Sequence, residues 1–392
     1  MSIFLGILLT LVVLLIVVMI HEFGHFITAR LTGMKVEEFG IGIPPRIRRF
    51  YTDKKGTEYT LNWLPIGWFV RILGEDPRNP GAKQKWSFIT KPWLSRIVVL
   101  AAWVTMNFFL AFVIFSGLFL YGIAPMAIIS MEWNHSLILP SAHESIESGY
   151  LTHSGLTVTS LSGSVAEQAW VGSGEIVISI EWKTPLLVSD IIDITAQNRE
   201  FDMILQSTEN PSKTHSVRMK PQNGKVGMMI GYKNLQINSN KKVQFAGFEA
   251  LLMGWRETIA TTRVTYDFLA QMVVGLFAPK DNREHEEAKS MLAGPIGLGS
   301  TFVSIVENSV PFTIILVMIA LLSINLGVVN ILPFPALDGG RIVTTTLYSI
   351  FSYIPHGNKY FTKVEGAIHT IWFLLLLAFM IYVSGLDVLR FF

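Results

Sequence analysis

The sequence predicts a polytopic α-helical membrane protein with four transmembrane helices, a membrane-associated β-hairpin region and one extracytoplasmic α+β domain. Three observations carry this expectation. Hydrophobic residues make up 51% and charged residues 15% of the 392-residue chain, where soluble domains hold about 25% charged. Four runs without Asp, Glu, Lys or Arg reach bilayer length, at 2–20, 97–122, 308–337 and 367–385. The stretches between them are polar and carry the turn punctuation of short strands. Mean hydropathy is +0.45.

The first run ends in Ile20-His21-Glu22-Phe23-Gly24-His25. It lacks the basic start and small-residue cleavage site of a secretory leader, so it reads as a retained span, with the first unit at 1–32. The region 33–93 follows. Val36–Gly42, Glu58–Trp63 and Leu64–Ile72 are rich in β-formers and are separated by Pro44-Pro45 and Lys54-Lys55-Gly56. Basic residues (Arg46, Arg48, Arg49, Lys54, Lys55, Arg71, Arg78, Lys83) outnumber acidic ones there, which by the positive-inside rule makes this connection cytoplasmic.

The second span occupies 94–124 and the extracytoplasmic region 125–244, with strands at Glu175–Glu181 and Phe201–Gln206 and a short helix at Ser189–Ala196. Region 245–306 combines amphipathic helices with a linker at Lys280–Lys289. Its helix at Phe245–Ala278 carries too many charges to span and is expected to pack on the soluble region or lie on the bilayer. The third span, in unit 307–345, leads into Asn330-Ile331-Leu332-Pro333-Phe334-Pro335-Ala336-Leu337-Asp338-Gly339-Gly340. Two prolines there cannot continue a regular helix, so the chain unwinds near Pro333. The fourth span and the C-terminus fill 346–392. An even number of spans puts both termini on the side of the extracytoplasmic domain.

The chemistry begins with His21 and His25. Positions i and i+4 share one helix face, so the two imidazoles can hold one Zn²⁺, with Glu22 beside it to take a proton from water. A charge-free span disfavours His-Glu-His by chance. A catalytic site needs a third protein ligand, for which Asp338 is the candidate because its span also runs inward. Taken alone, Asp338 reads equally well as a loop or helix-capping residue. Asn107, Asn325 and Asn330 within apolar runs suit interhelical bonding as well as function. His285 lies in a solvated charge run and His369 reads as structural, while His135, His143, His153, His215 and His356 show no ligand spacing. The net charge of +2 gives no case for nucleic acid, and the absence of Cys leaves metal binding to His and carboxylate.

With both motifs in view, the chain resembles the site-2 protease family of intramembrane zinc metalloproteases, in its PDZ-containing regulator-of-sigma-E-protease-like branch. His21–His25 matches the first family motif and Asn330–Gly339 the N-x-x-P-x-P-x-L-D-G motif. Gly294-Pro295-Ile296-Gly297 matches a GPIG element, and 158–231 resembles one PDZ domain. The resemblance implies zinc held by His21, His25 and Asp338, with Glu22 as base. It also implies substrate handling by Asn325 and Asn330, and strand addition at an edge formed by Trp68, Phe69 and Val70. Three tryptophans stand at family glycine or proline positions: Trp68, Trp103 and Trp170. They are expected to straighten the second span and to reshape the substrate strand and a PDZ loop.

The implied function is a zinc-dependent intramembrane endopeptidase in regulated proteolysis, acting on single-span membrane proteins such as an anti-sigma factor or remnant signal peptides. Its expected setting is the bacterial inner membrane, with lipid around it and no nucleic-acid partner. The PDZ-like domain would take an unknown peptide or act as a size filter. The alternatives are a membrane metal-binding or transport protein without peptidase activity, against which Glu22 speaks, and a catalytically dead PDZ scaffold.

Overall fold

The computed structural model describes residues 2–75, 84–126, 136–208, 210, 212–238, 240–292, 294–351 and 357–391; Arg78, Lys83, His135 and His356 lie outside them. The chain divides into two compact units, Met1–Tyr121 with Gln244–Phe392, and Gly122–Val243.

The first unit holds the helices α1 (Ser2–Leu31) and α2 (Trp93–Tyr121) and the strands β1 (Val36–Thr52) and β2 (Glu58–Ile72). At 1.5 Å per residue α1 is about 45 Å long, more than a hydrocarbon core of about 30 Å. Its buried residues Gly6, Thr10, Val13, Val17, His21 and Gly24 recur every three or four positions. That spacing makes one inward stripe, and the two histidine positions are its continuation. Ile3, Phe4, Ile7, Leu8 and Leu11 face outward, as apolar side chains do in lipid.

β1 and β2 are long strands that bend back on themselves. Residues 38–41 pair with 58–61 on one side and with 68–71 on the other, while 58–62 also pair with 46–52. The result is four short runs, with 68–71 at an open edge. Trp68 keeps a regular strand conformation opposite Ile41 because Gly67 before it takes the left-handed turn, φ 83°. α2 is likewise one unbroken helix through Trp103.

The second unit contains α3 (Ala142–Glu147), β3 (Leu151–Thr152), β4 (Gly155–Ser160), α4 (Val165–Gln168), β5 (Ser173–Ile180), α5 (Val188–Ala196), β6 (Phe201–Gln206), β7 (Thr214–Met219), β8 (Met228–Lys233) and β9 (Gln236–Ile237). Five strands form an antiparallel sheet in the order β7-β6-β5-β4-β8. Leu156, Val158, Val177, Ile180, Met203 and Leu205 alternate inward to make its core with Ile191 of α5. Trp170 keeps a left-handed backbone, φ 65°, and is 85% exposed. A bulky side chain in this conformation carries backbone strain.

The first unit resumes with α6 (Gly247–Phe277), α7 (Asn282–Met291), α8 (Pro295–Glu307), α9 (Phe312–Ile331), α10 (Asp338–Phe351) and α11 (Gly357–Phe391). Among the described residues, four helical segments are long and apolar enough to cross a membrane: α1, α2, α9 and Gly366–Leu389 of α11. The expected linker at 280–289 is instead mostly α7. The Asp281 side chain caps the Glu284 amide, and Arg283–Glu287 and Glu286–Lys289 pairs run along its surface. α6 buries Ala250, Gly254, Thr258, Thr261 and Thr265 and turns Phe248, Leu252 and Trp255 outward. Small residues permit that approach: a Cβ on Gly254 would lie 2.1 Å from Ser116 Oγ of α2. The GPIG element starts α8 with proline at its first turn, and the buried carboxylate of Asp387 accepts hydrogen bonds from the Gly294 and Gly297 amides.

Candidate metal centre

His21 and His25 lie one turn apart on the inward face of α1, 6% and 7% exposed, with ring centres 5.8 Å apart. The Oδ2 atom of Asp338 is 3.5 Å from His21 Nε2 and 3.8 Å from His25 Nε2. One donor atom from each of the three residues falls within a 4.8 Å cluster. Among the described residues this is the only such group of three or more His and acidic side chains.

Glycines explain how these parts come so close. A Cβ on Gly24 would sit 2.9 Å from the Ala102 carbonyl oxygen, so Gly24 lets α2 lie directly against the histidine-bearing turn. A Cβ on Gly339 would be 2.3 Å from the Leu332 oxygen, and one on Gly340 2.1 Å from the Phe334 oxygen. The unwound segment 332–337 therefore folds tightly over the start of α10. Asp338 occupies the first turn of that helix, where the partial positive charge of free amides favours a carboxylate.

Glu22 is half-buried beside His21, and its Oε2 accepts a hydrogen bond from the Val70 amide at 3.1 Å. Val70 belongs to the open-edge run 68–71, so this N–H points away from β1 and toward α1. A second link runs from Glu75, just past that strand, to Arg341, one turn beyond Asp338; the ion pair measures 2.7 Å. Sheet edge, α1 and α10 are thus joined by polar contacts around one spot.

The donor set fits zinc. Two imidazole nitrogens and a carboxylate oxygen are ordinary zinc ligands at about 2.0–2.2 Å, which puts tetrahedral neighbours about 3.3 Å apart. The observed 3.5 and 3.8 Å separations need only a small contraction. Three protein ligands leave a fourth position open, as catalytic sites require. His25 Nδ1 lies 3.1 Å from the Val99 carbonyl oxygen; since a carbonyl only accepts, the ring proton sits on Nδ1 and Nε2 offers its lone pair.

Of the other expected site residues, Trp68 stacks against Phe39 and Phe69 packs over Gly40. Asn325 is exposed on α9, and Asn330 is half-buried in its last turn. Neither makes a hydrogen bond to the metal cluster among the described residues. Sequence reading passed over Val99, Glu75 and Arg341. It also left Asn107 undecided, although a lone amide in a charge-free span was a signal.

A model of peptidase family M50 matches residues 9–379. The chain is 28% identical to "Putative zinc metalloprotease FN1322" of Fusobacterium nucleatum, over 98% of this chain and 99% of that protein. It is 26% identical to zinc metalloprotease RasP of Oceanobacillus iheyensis, over 96% and 97%. With the chloroplastic membrane metalloprotease ARASP of Arabidopsis thaliana it shares 25% identity over 91% of this chain and 72% of that protein.

Proposed function

Since the chain belongs to peptidase family M50 and is a zinc metalloendopeptidase, we propose that it cleaves single-span membrane proteins near the cytoplasmic end of the bilayer. One observation carries this reading: three zinc-type donors cluster at the end of an apolar span, with the Glu22 carboxylate and an open strand edge beside them.

His21, His25 and Asp338 would hold a zinc ion, which when bound would polarise a peptide carbonyl and acidify water. Glu22 takes the proton of the attacking water and passes it to the leaving amine. Val70 N–H steadies Oε2 of Glu22 and leaves Oε1 free for that proton. A transmembrane substrate hides its peptide bonds in helical hydrogen bonds. It must unwind before attack, and the edge at Trp68–Val70 offers main-chain partners to the extended segment. Asn325 and Asn330 assist on the α9 side.

The setting is regulated intramembrane proteolysis in a bacterial inner membrane, with anti-sigma factors or remnant signal peptides as the substrate class. The basic hairpin connection is cytoplasmic, and both termini and the second unit are extracytoplasmic. The second unit, read as PDZ-like over 158–231, takes a peptide or filters substrates by size. The test is cleavage of a panel of single-span proteins by the purified chain in detergent, with and without a zinc chelator. Chelator-sensitive cleavage within the spans supports the proposal. Cleavage confined to soluble proteins, or none with zinc bound, would sink it.

A further inference from the structure

Both histidines lean on α2, but by different means. His25 meets a main-chain carbonyl, which fixes its tautomer without any side chain. His21 Nδ1 meets a side chain, the amide Nδ2 of Asn107, at 3.2 Å. Asn107 is fully buried, at 0% exposed. Trp103, one turn earlier and also 0% exposed, lies against the His21 ring, with centres 4.8 Å apart and planes inclined at 42°.

A ligand that binds through Nε2 must carry its proton on Nδ1, so His21 needs an acceptor at that position. An amide presents either an oxygen or an NH₂ group to a given neighbour, and half a turn exchanges them. Ser323 of α9 decides which. Its hydroxyl donates to the main-chain oxygen of Asn107 at 3.0 Å, and the same Oγ lies 3.5 Å from Asn107 Oδ1, at the end of the amide that faces away from His21. With the hydroxyl proton committed to the main chain, Oγ turns lone pairs toward the amide, which favours NH₂ on that side. A half-turn of the amide, which exchanges Nδ2 and Oδ1, then puts its oxygen on His21 Nδ1 and its NH₂ on Ser323 Oγ, and all three groups are satisfied at once.

We infer that Asn107, braced by Ser323, is the positioning residue that sets His21 in its zinc-binding tautomer. It touches no substrate and acts through His21. The inference rests on the reading of His21 as a zinc ligand. Helices α1, α2 and α9 are thereby coupled at the metal, because displacement of any one breaks the chain of contacts from Ser323 to His21.

The experiment is zinc affinity of the purified full-length chain in detergent, measured by competition with a chromogenic chelator. Asn107→Leu, similar in size but without polar atoms, should weaken zinc binding about 10- to 100-fold. Asn107→Asp keeps an acceptor and cannot donate, so it should bind zinc within a few-fold of wild type. Ser323→Ala should fall between the two, and it and the Asp variant carry the test if the Leu variant fails to fold. Wild-type affinity in Asn107→Leu would overturn the inference. Equal loss in the Asp and Leu variants would overturn it too, since the amide would then act as donor or as packing. His21→Ala separates the levels: zinc retained there refutes His21 as a ligand, whereas zinc lost there but kept in Asn107→Leu refutes only the role of Asn107.

Discussion

The Val70 amide donates to Glu22 Oε2 across 3.1 Å, so the Glu22 carboxylate and the open edge of the hairpin share one hydrogen bond. Because that N–H faces away from β1, a proline at position 70 would remove it without breaking the β1–β2 ladder. A hydrogen bond to a charged group is worth about 1.5–3 kcal/mol, and each 1.4 kcal/mol is tenfold. Val70→Pro should therefore lower kcat/KM about 10- to 100-fold with zinc content unchanged. Unchanged kcat/KM would show that this contact orients nothing.

Gly24 marks the closest approach of α1 and α2 near the metal, and a methyl there meets backbone as well as the Met106 side chain. Gly24→Ala should cost about 1–3 kcal/mol of stability and weaken zinc binding, because both rings take their partners from α2. Gly117→Ala, on α2 with nothing within 4 Å, is the control and should be neutral or stabilising by up to about 1 kcal/mol. Thermal unfolding in detergent and metal analysis of both variants check this. Equal behaviour would remove the close-packing argument.

Much of this site was legible in the sequence, and the reason is local. The i, i+4 spacing of His21 and His25, and the prolines that stop α9 before Asp338, act within one turn or one loop. Asn107 was visible only as an oddity, because its partner depends on how α1 and α2 are rotated against each other. That rotation is set by Gly24 and by packing, not by any pattern within α2. The segment 280–289 was misread for a different reason. Its charges suggested solvent, yet Asp281 three residues before Glu284 is a capping signal and Arg283–Glu287 has helical spacing. At α6 the charges and the apolar periodicity were both visible, but not that its small and polar residues Ala250, Gly254, Thr258, Thr261 and Thr265 form the buried face, because that depends on the close approach of α2 at Gly254.

Trp170 holds φ 65° while almost wholly exposed, so its side chain returns little for the strain. Relief of the left-handed conformation is worth about 1–2 kcal/mol, and the added freedom of glycine in the unfolded chain costs about 0.5–1. Trp170→Gly should stabilise the second unit by up to about 1 kcal/mol. A fall in the unfolding temperature of that unit in the full-length chain would instead assign the tryptophan a contact that strain was tolerated to keep.

Glu58 is held below the ordinary carboxylate range by Arg49 first and also by Arg46, against the opposing effect of burial. A depressed folded-state value means stability present above the unfolded value and lost as pH falls through the folded one. The difference in unfolding midpoint between wild type and Glu58→Gln should therefore be full at neutral pH and shrink below roughly pH 4. A difference that grows on acidification would contradict this sign.

The Glu75–Arg341 pair connects the hairpin to the helix that bears Asp338. Arg341→Met should weaken zinc binding by letting the start of α10 shift, and Glu75→Gln should do so less, since it can still accept a hydrogen bond. Chelator competition on both variants and on the double variant gives the coupling. Strictly additive losses would show that the two side chains act separately.

If His21, His25 and Asp338 bind one zinc and Glu22 alone supplies the base, Glu22→Gln and Asp338→Ala must differ in kind. Glu22→Gln should keep one zinc per chain yet lose cleavage of a single-span substrate about 10²- to 10⁴-fold, whereas Asp338→Ala should lose both. Cleavage at the wild-type rate by Glu22→Gln, or full zinc in Asp338→Ala, would contradict this assignment.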